Sequence, residues 1–107
     1  MSQAVLQVGT KDYATDVVLL KKAMSQMESL LSAYNGYALS EPTSKLGWTF
    51  FSMVFKADLQ QKIEQRFADM IGQYRWGSSD EKFTKFMQEY LHARGCNVEL
   101  KLDKQRM

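Results

Sequence analysis

The sequence predicts a mainly α-helical fold: a three- or four-helix bundle with short extended N- and C-terminal segments that can pair as a two-stranded antiparallel ribbon. Three observations predict it. Tyr13, Val17, Leu20, Met24, Met27, Leu31 and Tyr34 follow an unbroken 4-3-4-3-4-3 spacing, the seam of a bundle helix. Trp48, Phe51, Phe55, Leu59, Ile63, Phe67, Met70 and Tyr74 recur every three or four residues. Ser78 and Glu81 stand at capping-box spacing ahead of an apolar stripe.

Residues 1–10 form an extended N-terminal segment in this reading, with the strand-like run AVLQV at 4–8. Helix one spans 11–35. Asp12 and Asp16 suit its positive end, and Asn35-Gly36 tolerates the left-handed geometry of a C-cap. Val18, Leu19, Ala23 and Leu30 widen the apolar stripe, so more than one neighbour is expected. Pro42 then drives Glu41 out of helical geometry.

Helix two spans 44–75. Its second half is amphipathic, with Gln60, Gln61, Glu64, Gln65 and Asp69 on the wet side. Its first half, LGWTFFSMVF at 46–55, is apolar all round, as suits a helix buried on every side. Asp58 and Gln61 could cap a fresh helix, so a break near residue 57 is allowed. Phe, Val, Thr and Trp also favour strands, so a buried strand at 47–55 is the competing reading. Helix three spans 78–94. Phe83, Phe86, Met87, Tyr90 and Leu91 form its stripe, and Gly95 sits where a C-cap glycine belongs. Residues 97–102 are strand-like, with Val98, Leu100 and Leu102 alternating with Glu99 and Lys101.

Composition narrows the function classes. The 107 residues suit a single helical domain over 1–107. One cysteine, Cys96, excludes an intramolecular disulfide and fits a reducing, cytoplasmic or otherwise intracellular compartment. The N-terminus lacks the basic start and long apolar core of a secretory leader. No apolar run approaches the roughly 20 residues of a membrane span.

Chemistry-bearing motifs are sparse. His92 is the only histidine, and with Cys96 it lacks the third, orienting group of a nucleophilic pair. One Cys and one His do not make a zinc site. Asp80 and Glu81 fit a helix first turn, and there is no glycine-rich phosphate loop. No catalytic, metal or cofactor-binding residue is predicted, no enzyme activity, and no family motif is recognised.

The expected function is therefore a non-enzymatic protein–protein interaction module, a small subunit or accessory protein acting on itself as a homo-oligomer or on another protein. A chain this short has little capacity to surround two long apolar helices. Tyr34, Tyr37, Trp48 and Phe51 are the candidate anchors, since aromatics dominate interface energy. The alternative is a nucleic-acid-associated protein. The net charge is +2, and the excess lies in residues 75–107, with seven basic against five acidic residues. Arg75, Trp76, Lys82, Lys85 and Arg94, followed by Lys101, Lys104 and Arg106, combine basic groups with a stacking ring.

Overall fold

The computed structural model describes residues 4–103. Residues 1–3 of the extended N-terminal segment, together with Lys104 and Arg106, lie outside the described residues. The chain is not a helical bundle. Its described residues form an α+β fold with a five-stranded antiparallel sheet and four helices. In chain order these are β1 (Val5–Thr10), α1 (Tyr13–Leu31), β2 (Tyr37–Leu39), β3 (Thr43–Lys45), β4 (Trp48–Phe55), α2 (Ala57–Arg66), α3 (Ala68–Gly72), α4 (Ser79–Ala93) and β5 (Glu99–Leu102).

The sheet order is β2-β4-β1-β5, with β3 also paired to β4. Counting β2 and β3 as one interrupted strand, the path runs β-α-β-β-α-β. Each crossover spans one intervening strand, a split β-α-β arrangement. The terminal strands do pair antiparallel, with Val8 opposite Leu100. They do so inside the sheet, flanked by β4 on the other side of β1, and not as a separate ribbon.

Residues 44–75 do not form the expected helix two but β3, β4, α2 and α3, and the competing strand reading of 47–55 matches β4. Leu46 (φ 54°) and Gly47 (φ 82°) make a two-residue turn between β3 and β4, the positive-φ pair that matches hairpin twist. Beyond it the side chains alternate. Phe51, Met53 and Phe55 are 4%, 0% and 0% exposed on one face. Trp48, Phe50, Ser52 and Val54, on the other face, are half-buried. The break anticipated near residue 57 is the passage from strand to helix at Lys56, whose backbone is extended.

The helices hold the inner face. Leu20, Met24 and Met27 of α1, Leu59 and Ile63 of α2, and Phe83, Phe86, Met87 and Leu91 of α4 join Leu6, Val8, Phe51, Met53 and Phe55 in one core. Phe55 meets Phe83 edge-on at 5.0 Å, a favoured aromatic geometry. The sheet thus covers much of the apolar helix surface, while Val18, Leu30 and Met70 remain exposed. Helix α1 ends at Leu31, four residues earlier than expected, because Ser32 takes the left-handed cap (φ 55°). Asn35 and Gly36 instead lead into β2, the Gly36 N–H donating to the Glu28 carboxylate at 2.7 Å. At α4, Ser78 and Glu81 close a reciprocal capping box.

Candidate binding site on the open face of the sheet

A strand buries one set of alternate side chains and presents the other. Here the helices take the first set, and no described element packs on the second. The register assembles that open face. Lys45 lies opposite Trp48, and Thr43 opposite Phe50. Phe50 lies opposite Gly9, and Ser52 opposite Gln7. On the far side Gly9 faces Glu99, and Gln7 faces Lys101.

Trp48 and Phe50 dominate it. Their rings are nearly parallel, 16° apart, with centroids separated by 6.2 Å. Gly9 makes this arrangement possible. A Cβ at that position would lie 3.0 Å from Cε1 of Phe50 and 3.6 Å from Cε3 of Trp48. The missing side chain lets both rings lean over β1. The Lys11 ammonium sits over the Trp48 ring at 5.2 Å from its centroid, a cation–π contact. A shallow cavity of about 180 Å³ is bounded by Gln7, Gly9, Trp48, Phe50, Glu99 and Lys101. A wider depression of about 730 Å³ continues toward Ser40, Thr43, Lys45 and Leu46. Leu46, at the hairpin tip, is 90% exposed.

The sequence-predicted anchors are dispersed. Trp48 is on the open face. Phe51 points to the core, 4% exposed, with its ring edge-on to Tyr13 at 5.5 Å. Tyr37 is half-buried on β2. Burial and then the Glu28 carboxylate raise its hydroxyl above the usual tyrosine range. Tyr34 is 88% exposed after α1. Arg75 and the 77% exposed Trp76 precede α4, Lys82 and Lys85 lie along it, and Arg94 follows it. The Arg94 guanidinium stacks on Tyr90 at 3.7 Å.

Cys96 and His92 turn to different tasks. The Cys96 thiol is buried and donates to the Asp16 carbonyl at 3.4 Å. Burial first, and the Asp16 carboxylate second, push it up to about 11, so thiolate is scarce at neutral pH. Asp16 itself accepts from the Thr10 hydroxyl at 2.5 Å and from the Asn97 N–H at 3.3 Å. This ties β1, α1 and the approach to β5 together. His92 Nε2 meets the Val98 carbonyl at 2.8 Å and also lies against the Gln88 amide.

Among the described residues, no group of three His, Cys, Asp or Glu side chains could hold a metal ion. No helix among them is long and apolar enough to cross a membrane.

A helical period of 3.6 does not reveal this face, because Gly9, Gln7, Phe50, Lys11, Lys45, Glu99 and Lys101 come from four strands and a turn. The available signal was Trp48 and Phe50 two residues apart, directly after a glycine turn. That spacing puts both rings on one face of a strand. Neither protein-family models, nor curated proteins, nor solved structures include a match to this chain.

Proposed function

We propose that this chain is a non-enzymatic binding protein whose open sheet face takes single-stranded nucleic acid. The observation that carries the reading is the near-parallel Trp48–Phe50 pair laid over Gly9 on a sheet face that no described element covers. Aromatic faces stack on bases whatever their sequence. A sheet with aromatics on its central strands is a general platform for unstacked bases. The run Gly47-Trp48-Thr49-Phe50 has the glycine and alternate aromatics used by such strands. It departs from them in carrying Leu46 where a basic residue would lead, and β1 adds no aromatic, presenting Val5, Gln7 and Gly9. Lys11, Lys45 and Lys101 surround the rings and supply the positive groups a phosphate backbone requires. The surface proposed for nucleic acid is thus the open sheet face and not the C-terminal third as a whole.

The test is a titration of the full chain with labelled single-stranded oligonucleotides at several salt concentrations. Trp48→Ala should weaken binding by about 1–3 kcal/mol, the stacking of one base. Three lysines at phosphates should give a log–log salt slope of about −2. Absence of binding to any single strand at low salt would remove the proposal.

A second reading, a protein or a second copy of this chain on the same face, is favoured by Leu46. A bulky apolar residue 90% exposed at positive φ beside Trp48 suits an interface. Sedimentation of wild type and Leu46→Ser separates the two: a concentration-dependent mass lost in the variant supports self-association.

A further inference from the structure

The geometry points to guanine as the base preferred at the Phe50 end of this face, read by Glu99 and Lys101. The inference rests on the single-strand reading above and adds a base preference to it. Gly9 pairs with Phe50 on one side and Glu99 on the other, so the row across the sheet is Phe50, Gly9, Glu99. Lys101 stands one row along on the same face of β5, opposite Gln7. Strands lie about 4.8 Å apart. A base resting on the Phe50 ring and reaching over Gly9 therefore meets β5 edge-first. These side chains line the cavity of about 180 Å³ described above. The Glu99 carboxylate and the Lys101 ammonium are both exposed and make no hydrogen bond or ion pair with other described residues. Their capacity is available to a ligand.

The donor and acceptor pattern selects the base. A carboxylate only accepts and an ammonium only donates. Guanine presents two adjacent donors, N1–H and the N2 amino group, beside the O6 acceptor. Two carboxylate oxygens and one ammonium complement that edge in order. Adenine and cytosine each offer one amino group next to a ring-nitrogen acceptor, and uracil offers one N–H between two carbonyls. None of these satisfies both oxygens of Glu99. With them the carboxylate remains half-unpaired near the phosphates, so Glu99 also selects against the wrong base.

The experiment uses the full chain and fluorescence anisotropy with labelled uridine octamers. One is unsubstituted and three carry a single central guanosine, adenosine or cytidine; the deoxy series runs alongside. The guanosine octamer should bind about tenfold tighter than the other three, the scale of one bidentate base contact. Glu99→Gln should cut that ratio below about twofold while uridine binding holds or rises, since a negative charge is removed. Lys101→Gln should lower the ratio partially and weaken every octamer. Circular dichroism verifies that both variants fold. Equal, measurable affinity for all four octamers would overturn the guanine assignment and leave the proposed function standing. A preference that survives Glu99→Gln would overturn the role of Glu99. No binding by any octamer would overturn both.

Discussion

Replacing Gly9 by valine should separate the platform from the fold. A valine Cβ would sit 3.0 Å from Cε1 and 3.3 Å from Cδ1 of Phe50, and 3.6 Å from Trp48. Ordinary van der Waals contact begins near 3.4 Å. The first carbon alone therefore makes the ring give by a few tenths of an ångström. The two methyl groups extend roughly 1.5 Å further, one bond length, and the ring has to leave β1. It has somewhere to go, because no described element covers this face. The backbone should tolerate the change, since Gly9 is not among the positive-φ glycines and valine favours strands. Removing the glycine also lowers unfolded-chain entropy, worth about 0.4–1 kcal/mol of stability. The expected result is a melting temperature within a few degrees of wild type and oligonucleotide binding weaker by about 1–3 kcal/mol, the stacking of one base. Fluorescence titration and circular dichroism melting read both quantities. A folded valine variant that binds like wild type would refute the platform, because no flat ring would then be needed over β1.

Neighbouring phenylalanines should respond oppositely. Phe51→Ala removes a core ring and should cost about 3–5 kcal/mol, enough to unfold a small domain. Phe50→Ala should leave the melt nearly unchanged and weaken binding; equal losses of stability would argue against the alternation. Gln88→Ala removes the amide that donates to the Val98 carbonyl at 2.6 Å and accepts from the Leu100 N–H at 2.6 Å. His92 still serves Val98, so the loss falls on Leu100, about 1–2 kcal/mol, and amide exchange at Leu100 should quicken before that at Leu6. Cys96, buried with its thiol raised to about 11, should alkylate at pH 8 only at the rate of unfolding. Its folded value lies above the 9.0 of a free thiol, so its contribution to stability is complete below pH 9 and lost as pH rises through 11; a thiol that reacts at once in the native protein would contradict this placement.

How much of this was legible in the sequence depended on whether each element had a single dry face. Helix α1 has one, and Leu20, Met24 and Met27 of its predicted seam are buried. Helix α4 announced its start chemically through Ser78 and Glu81. β5 alternates Leu100 and Leu102 with Glu99 and Lys101, the pattern of a half-buried strand. β4 was legible only as the competing strand reading of 47–55, because both its faces are apolar, one set for the core and one for the platform. That erases the period of two. The chance spacing of Trp48, Phe51 and Phe55 then joined the real helical periodicity of Leu59 and Ile63 in α2. β2 and β3 are three residues each, too short to show any period. The candidate site shared the fate of β4. Its aromatics were in view, but Gly9, which positions them, comes into range only through strand pairing across about 40 residues of sequence.

The edges of the sheet give a separate reason to look for contacts on its face. An exposed edge offers a row of unpaired N–H and C=O groups to any other strand. On the β5 side, Gln88 and His92 occupy such groups at Val98 and Leu100. The other side is broken into β2 and β3, with Pro42, which has no N–H, in the gap. Across that gap the Ser40 N–H donates to the Ser52 carbonyl at 2.9 Å. The Ser40 hydroxyl accepts from the Ser52 N–H at 2.7 Å, so the interruption is closed inward toward β4. Neither edge presents a long, regular strand for a second copy to extend. The open face differs in kind from both. Two rings lie across it at the centre, Lys11, Lys45 and Lys101 stand around them, and Gln7, Thr43, Ser52 and Glu99 break its apolar area. A face of that composition is too polar to be left over from an unfinished core and too aromatic for plain solvent. Planar ligands carrying negative charge match both properties at once.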